Sequence, residues 1–391
     1  MILSPFRTTL VIVMLWAAGL GAAAQFGKIS VLYETLVQHY DGPGRVALMV
    51  SVVGMVGLIF GTTAGILVQR LGMRRVLLVA LVLGAALSAV QALLPAYPLM
   101  MLSRVLEGVS HLAIVVVGPV LIAQTAPLRH QGLAMTLWSS FFGVSLAVLA
   151  LIAPGLLRLG GEAAVFLFHA GFMLAVAAVL AVLLPPIPAQ AAPAGEPGDG
   201  LLRQHVAIYR SPRIAAPATG FFFYTILYVA LITLLPPIME GQKLLAAMTM
   251  PLISILVSLT FGVWMLGRVS AVVLVQLGFA IAFVAGVALW LGWESPVFRL
   301  AAALALAAAL GIVQGASFAS IPQLNASGRD RAEASGAIAQ LGNLGTTTGT
   351  PILAGLIAAF GLAGLVGFIL PLCAGGIVIH AWQARRRRRQ A

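Results

Sequence analysis

Between Arg75 and Arg104 the chain carries no Asp, Glu, Lys or Arg, and the same holds between Arg129 and Arg158, Arg213 and Glu240, Lys243 and Arg268, and Arg268 and Glu294. Each gap holds a helix of about 20 residues, the length that crosses a bilayer core of about 30 Å. The longest gap, Glu333 to Arg385, holds two, with a break near Gly361 and Gly364. With 61% of residues hydrophobic and 8% charged, the chain has more apolar surface than a soluble core can hide. Spans are predicted at 8–37, 45–68, 76–95, 98–126, 132–156, 162–184, 214–238, 244–266, 269–291, 297–321, 333–359 and 363–383. The fold class is therefore all-α integral membrane, with twelve transmembrane helices.

Alternating the spans across the membrane collects Arg7, Arg70, Arg74, Arg75, Arg129, Arg203, Arg210, Arg213, Arg268, Arg329, Arg331 and Arg385 to Arg389 on one side. Only Arg45, Arg158, Lys243 and Arg299 fall on the other. Positive charge is retained in the cytoplasm during insertion, so both termini are predicted inside, in a cytoplasmic (inner) membrane. The net charge of +12 is mostly this bias plus the tail "RRRRRQ". Directly after a last span, such a tail is read as touching anionic lipid headgroups rather than nucleic acid. The N-terminal apolar stretch ends in Ala-Ala-Ala before Gln25 and imitates a cleavable signal. Cleavage would leave eleven spans and undo the charge asymmetry, so the stretch is read as an uncleaved first helix. Cys373 is the single cysteine, which excludes a disulfide within the chain.

The stretch "PPIPAQAAPAGEPGDG" after the sixth span is a flexible linker by composition, and "LLRQHVAIYR" behind it reads as a short amphipathic surface helix. The expected organisation is a six-helix bundle over 1–184, a cytoplasmic linker over 185–212, a second six-helix bundle over 213–384 and a basic cytoplasmic tail over 385–391. A weak internal repeat supports two halves: "LEGVSH" in span 4 returns as "VQGASF" in span 10, and "PGLLRLGG" after span 5 as "AGLIAAFG" after span 11. Two parallel six-helix halves bind a ligand between them near the midplane. Span 2 carries Gly54, Gly57, Gly61 and Gly65 on one stripe, and span 11 carries Gly342, Gly345 and Gly349. Such stripes serve ordinary helix packing or, in the sharper reading, let spans 2 and 11 slide on each other.

The loop between spans 2 and 3 reads "GILVQRLGMRRVLL". With twelve spans, the six-and-six division and Arg-x-x-x-Gly in span 4, it resembles the major facilitator superfamily over nearly the whole chain. The family pattern there is Gly-x-Leu-Ala-Asp-Arg-x-Gly-Arg-Arg. Gly65, Leu67, Arg70, Gly72 and Arg74 match it, while Gln69 stands in place of the Asp and Met73 in place of a basic residue. The resemblance implies a cytoplasmic gating loop formed by Gly65, Gln69, Arg70, Gly72 and Arg74, whose charge network lacks its acidic member. In the second half "WMLGRVSAVVL" keeps only Gly267 and Arg268.

Span 4 also holds "RVLEGVSH", in which Arg104, Glu107 and His111 are spaced i, i+3 and i+7 on one helical face. A rise of 1.5 Å per residue from Pro98 puts Glu107 about 13 Å and His111 about 20 Å into the helix. Ionisable groups at such depth are read as a functional pathway, with a helix-orienting salt bridge as the plainer alternative. Glu107 is predicted to exchange a proton beside Arg104, with His111 receiving or delivering it. This is similar to the span-4 arginine motif of proton-coupled family members, onto which Arg104 and Gly108 map; Glu107 and His111 are not usual there.

In span 1, Gln25, Lys28, Thr35 and His39 share a stripe begun by Gly21. Lys28 either faces the cavity, leaving one positive charge that favours an anionic or zwitterionic substrate, or snorkels to the outer interface. In the second half Tyr224 and Tyr228, Gln314 beside Phe318, and Gln340 and Asn343 are candidate substrate contacts; each alternatively bonds a neighbouring helix. Trp138 either stacks on a ligand or sits at the cytoplasmic interface, and His169 reads as an isolated packing histidine.

These residues point to a proton-coupled secondary transporter of a small organic solute, working by alternating access. Motifs of the rival class, a membrane enzyme, are missing from the sequence: no His-Glu-x-x-His, no Cys/His metal set, no Ser/His/Asp set and no phosphate loop is present. Rings of charge or carbonyl filters that mark channels are also missing. Uptake of an anion by symport and export of drugs or metabolites by antiport both fit. Protons, the solute and membrane lipids are the expected partners of a monomer, with no cofactor and no metal. Reporters fused after Arg213 and at the C-terminus should both report cytoplasm. A C-terminus found outside would sink the twelve-span map.

Overall fold

The structure, a computed structural model, describes residues 4–185 and 201–389. Most of the expected linker, residues 186–200, lies outside the described residues, as do residues 390–391 of the tail. The described chain folds into α1 (Pro5–Val31), α2 (Tyr33–His39), α3 (Pro43–Leu71), α4 (Met73–Gln91), α5 (Tyr97–Thr125), α6 (Gln131–Ser139), α7 (Phe141–Leu183) and α8 (Leu201–Arg210). The second half continues with α9 (Ala215–Ile238), α10 (Lys243–Val257), α11 (Val263–Leu266), α12 (Ala271–Leu291), α13 (Pro296–Leu324) and α14 (Gly328–Arg388). In a hydrocarbon environment each backbone N–H and C=O must be satisfied within the segment, and helices do so. Serine caps start several of them: Ser4, Ser270, Ser295 and Ser327 each accept from a backbone N–H three residues on.

Among the described residues ten helices are long and apolar enough to cross a membrane. Two of these are too long for one crossing. α7, with 43 residues, and α14, with 61, would run to about 65 and 90 Å if straight, against a core of about 30 Å. Both turn at a glycine. Gly161 has φ 62° and ψ −155°, and Gly361 has φ 57° and ψ −132°, a region that a side chain makes costly. The two corners occupy the last position of the repeated stretches "PGLLRLGG" and "AGLIAAFG", so the weak repeat marks equivalent turns. Counting each arm separately, twelve apolar segments result.

Three expected spans are less regular than the sequence suggests, and the fifth, 132–156, is divided at Ser140 between α6 and α7. The first bends at Leu32, dividing the predicted 8–37 into α1 and α2, so that the polar stripe does not continue to His39, which is exposed. The eighth consists of α10, a π-helical turn at Ser258–Gly262, and α11.

By contacts the chain forms two units. The first runs to Pro127 and resumes over Ser140–Gln204; the second takes Leu128–Ser139 with His205 onward. The short helix α6 thus groups with the second unit rather than with the expected 1–184 bundle. The reason is local: Gln314 Nε2 on α13 donates to the Ser139 carbonyl at 2.6 Å, and a Cβ on Gly315 would lie 2.8 Å from Thr136 Cγ2.

Within the first unit α1 packs on α7 and α5, α3 on α5, and α4 on α5 and α7. Gly108 lets α5 approach α3, since a Cβ there would sit 2.6 Å from Val56 Cγ2 and 3.1 Å from the Val53 carbonyl oxygen. Within the second unit α14 packs on α9 and α12, and α13 on α12 and α10. The stripe of Gly342, Gly345 and Gly349, read from sequence as serving either ordinary helix packing or sliding on span 2, is where α14 meets α9. A Cβ on Gly345 would lie 2.8 Å from the Ile226 nitrogen, and one on Gly349 would fall on the Ile226 carbonyl.

The glycine corners are testable without a packing confound, because a Cβ on Gly161 or Gly361 would meet nothing within 4 Å. Gly161→Ala and Gly361→Ala should each cost about 1–3 kcal/mol through backbone strain alone. Gly155→Ala, also in open space but at an ordinary helical position, should be neutral or stabilising. Thermal melting of the purified variants decides, and a corner variant melting with the wild type would show that the turn accepts a side chain.

Candidate functional site

The polar residues of the first unit converge inside its own core. α1 comes close to its neighbours because its inward face is small: Gly21, Ala22, Ala23, Ala24 and Gly27 are all buried. That places Gln25 and Lys28 against α4 and α5, both fully shielded from solvent. Gly84 on α4 makes room for Gln25, since a Cβ there would be 2.8 Å from both Gln25 Nε2 and Ser110 Oγ.

At the centre is the Glu107 carboxylate on α5, with no exposure. Its Oε1 accepts from Lys28 Nζ, and its Oε2 accepts from Arg104 Nη1 one helical turn away and from Gln91 Nε2 at 2.9 Å. Gln91 Nε2 also reaches Ser103 Oγ at 2.9 Å, and Arg104 Nε donates to the Met49 carbonyl of α3 at 3.0 Å. The i, i+3 spacing read from the sequence therefore does set Arg104 beside Glu107.

Lys28 is settled in the same way. It does not snorkel; it lies inside the bundle with its three ammonium donors directed at Glu107, at Ser88 Oγ (2.9 Å) and at His169 Nδ1 (3.4 Å). No ammonium hydrogen is left over for a substrate in this arrangement. Its charge also lies 5.4 Å from the Phe166 ring centroid.

The histidine that adjoins the ion pairs is His169 on α7, which the sequence presents as an isolated packing residue. Its Nε2 meets the Gly21 carbonyl at 2.9 Å, which assigns the ring hydrogen to that nitrogen and turns the Nδ1 lone pair toward Lys28 and Ser88. His111 is engaged elsewhere: Nδ1 donates to the Ala22 carbonyl at 2.9 Å, and the ring sits edge-on to Phe26 at 5.0 Å. Gln25 Nε2 donates to Ser110 Oγ at 3.0 Å. Sequence reasoning missed Ser88 and Gln91, although a serine and a glutamine one turn apart in the otherwise apolar span at 76–95 were a visible signal.

In the second unit Tyr224 and Tyr228 stack at 5.1 Å, and Phe221 extends the ladder to Tyr224 at 5.3 Å and to Phe318 at 5.1 Å. Trp138 is fully buried. The amides mostly serve helices: Gln314 bonds Ser139, Gln340 Oε1 accepts from the Tyr209 hydroxyl of α8 at 2.7 Å, and Asn343 Nδ2 donates to the Ala339 carbonyl of its own helix at 2.7 Å. The loop motif bends at Gly72, with φ 85°, between α3 and α4. Gly65, Gln69 and Arg70 lie on α3, and the side chains of the last two are outside the described residues. Arg74 donates to the carbonyls of Leu184 (2.9 Å) and Ala181 (2.7 Å), neutralising the C-terminal end of α7.

Chemically, the cluster is a carboxylate shared by two cations, with a neutral imidazole against one of them, in a site without water access. Such a group can hold, pass or release a proton. Among the described residues no three His, Cys, Asp or Glu side chains converge as metal ligands would.

No curated protein sequence matches the chain significantly. Solved structures do match its fold: the human organic anion transporter MFSD10 (TM-score 0.77, 15% identity, 97% of this chain and 100% of that one) and the E. coli fucose:proton symporter FucP (TM-score 0.75, 15% identity, 96% and 99%). The proton:xylose symporter XylE follows with a TM-score of 0.74 at 14% identity, over 97% of this chain and 95% of that one. At such identities the likeness shows the fold alone, twelve helices in two bundles. The family profile of the Major Facilitator Superfamily matches residues 14–350, and the chain belongs to that superfamily of membrane transporters.

Proposed function

We propose that the protein is a proton-coupled secondary active transporter of a small organic solute, anionic or zwitterionic, working by alternating access. The observation that carries this reading is the Glu107 carboxylate held between Lys28 and Arg104 with no solvent exposure. A helix-packing role is poorly served by three ions, because replacing a buried ion pair with apolar side chains is often neutral or stabilising. Two cations against one carboxylate leave a positive charge in excess, which favours a solute bringing negative charge. FucP and XylE are named as proton symporters and MFSD10 as an organic anion transporter, which agrees with both halves of the proposal. The Tyr224–Tyr228–Phe221 ladder offers aromatic faces on which the solute's apolar part can pack. The arginine distribution supports a cytoplasmic membrane with both termini inside.

The test uses proteoliposomes and a panel of labelled organic acids, amino acids and neutral sugars, with and without an imposed pH gradient. Gradient-dependent, saturable accumulation of an acid or amino acid is expected; saturable transport indifferent to the gradient would remove proton coupling, and transport restricted to sugars would remove the substrate class. Glu107→Gln should abolish accumulation and lower stability by up to about 3–5 kcal/mol, since two buried cations lose their carboxylate. Accumulation by that variant at the wild-type level would rule Glu107 out of the coupling site.

A further inference from the structure

Lysine occurs only twice among the chain's 22 basic side chains, as Lys28 and Lys243. Lys243 is exposed at the start of α10, whereas Lys28 is fully buried. Everywhere else the chain uses arginine. The two cations differ in one chemical respect that matters in a dry site: a guanidinium does not give up its proton in proteins, and an ammonium can. The single buried lysine therefore stands where the chain's ordinary cation would not do the same work.

The surroundings say which group of the cluster exchanges the proton. Every hydrogen-bond neighbour of the Glu107 carboxylate is a donor: Lys28 and Arg104 are charged, and Gln91 offers its amide N–H. A proton added to Glu107 would have to point at one of these donors. Lys28 has the opposite situation, because one of its three neighbours, His169 Nδ1, is a nitrogen lone pair. The other charged or titratable groups near it are accounted for. On α5, Arg104 is committed to Glu107 and Met49, and His111 to the Ala22 carbonyl. On α4 the neighbours Ser88 and Gln91 are neutral; α2 contributes Glu34 and His39, both exposed, and Arg45 of α3 is exposed as well. The excess positive charge disappears only if Lys28 becomes neutral.

We infer that Lys28 is the group that binds and releases the coupled proton, and that His169 is its immediate acceptor. The inference rests on the proton-coupled reading and names the atoms. The Nζ–H bond breaks as a proton moves onto the Nδ1 lone pair, leaving a neutral amine and an imidazolium. That imidazolium donates through Nε2 to the Gly21 carbonyl and through Nδ1 to Ser88 Oγ, 2.9 Å from each. Ser88 in turn donates to the Phe166 carbonyl at 3.0 Å, so the hydroxyl oxygen is free to accept. When the site opens to water the imidazolium releases the proton, and the remaining Arg104–Glu107 pair is neutral overall.

Two lysines make the test direct. Full-length protein carrying lysine labelled with carbon-13 at Cε, in lipid nanodiscs, gives two side-chain resonances, and Lys243→Arg removes and so identifies one of them. Over about pH 5 to 9, a range in which folded proteins commonly remain stable, the Lys28 resonance should move from the ammonium to the amine position. His169→Gln keeps a hydrogen-bond acceptor that cannot take up a proton, and should slow the proton exchange of Nζ at least tenfold. Lys28→Arg should keep the cation on Glu107 and the wild-type melting temperature but lose gradient-driven accumulation of whichever panel solute the wild type carries. A Lys28 resonance that stays at one position in folded protein overturns the assignment, and unchanged exchange in His169→Gln overturns the relay. Because the resonance is read without solute or gradient, a failure of proton-driven transport with a titrating Lys28 would count against the functional reading and not against this one.

Discussion

The first unit is organised around one buried carboxylate. Glu107 on α5 draws Lys28 from α1 and Gln91 from α4, and through these and Arg104 it reaches His169 on α7 and the Met49 carbonyl on α3. Five helices are thereby tied to one anion. In hydrocarbon an ion left without a partner is very costly, so this arrangement also constrains helix rotation: turning any one of them about its axis would leave a charge uncompensated. The close approaches that permit it are made by small residues, Gly84 beside Gln25 and Gly108 beside Val56.

The second unit is held differently. It has a large apolar core with an aromatic ladder from Phe318 to Tyr228 and glycines that set α14 on the backbone of α9, and it buries Arg299, Glu333 and His380 as well. Its polar side chains mostly satisfy one another or nearby carbonyls. The two units thus share a repeated backbone plan, seen in the Gly161 and Gly361 corners, while the fully buried Lys28–Glu107–Arg104 cluster belongs to the first.

Membrane spans are legible in sequence because their length and apolarity are local properties, fixed by bilayer thickness and by the need to satisfy the backbone within each segment. The glycine corners are legible for the same reason, and so is the Arg104–Glu107 pair, since i, i+3 residues on a helix must be neighbours. What sequence could not settle was how deep each helix lies and which way it faces its neighbours. Lys28 had the outer interface as an alternative to the interior, His169 looked solitary, and the glycine stripe of span 11 had several helices to choose from. Tertiary packing decided these by bringing α1, α4, α5 and α7 within hydrogen-bonding distance of one carboxylate and by seating α14 on α9. Contacts between helices depend on rotation and depth together, and neither is encoded in the periodicity of a single helix.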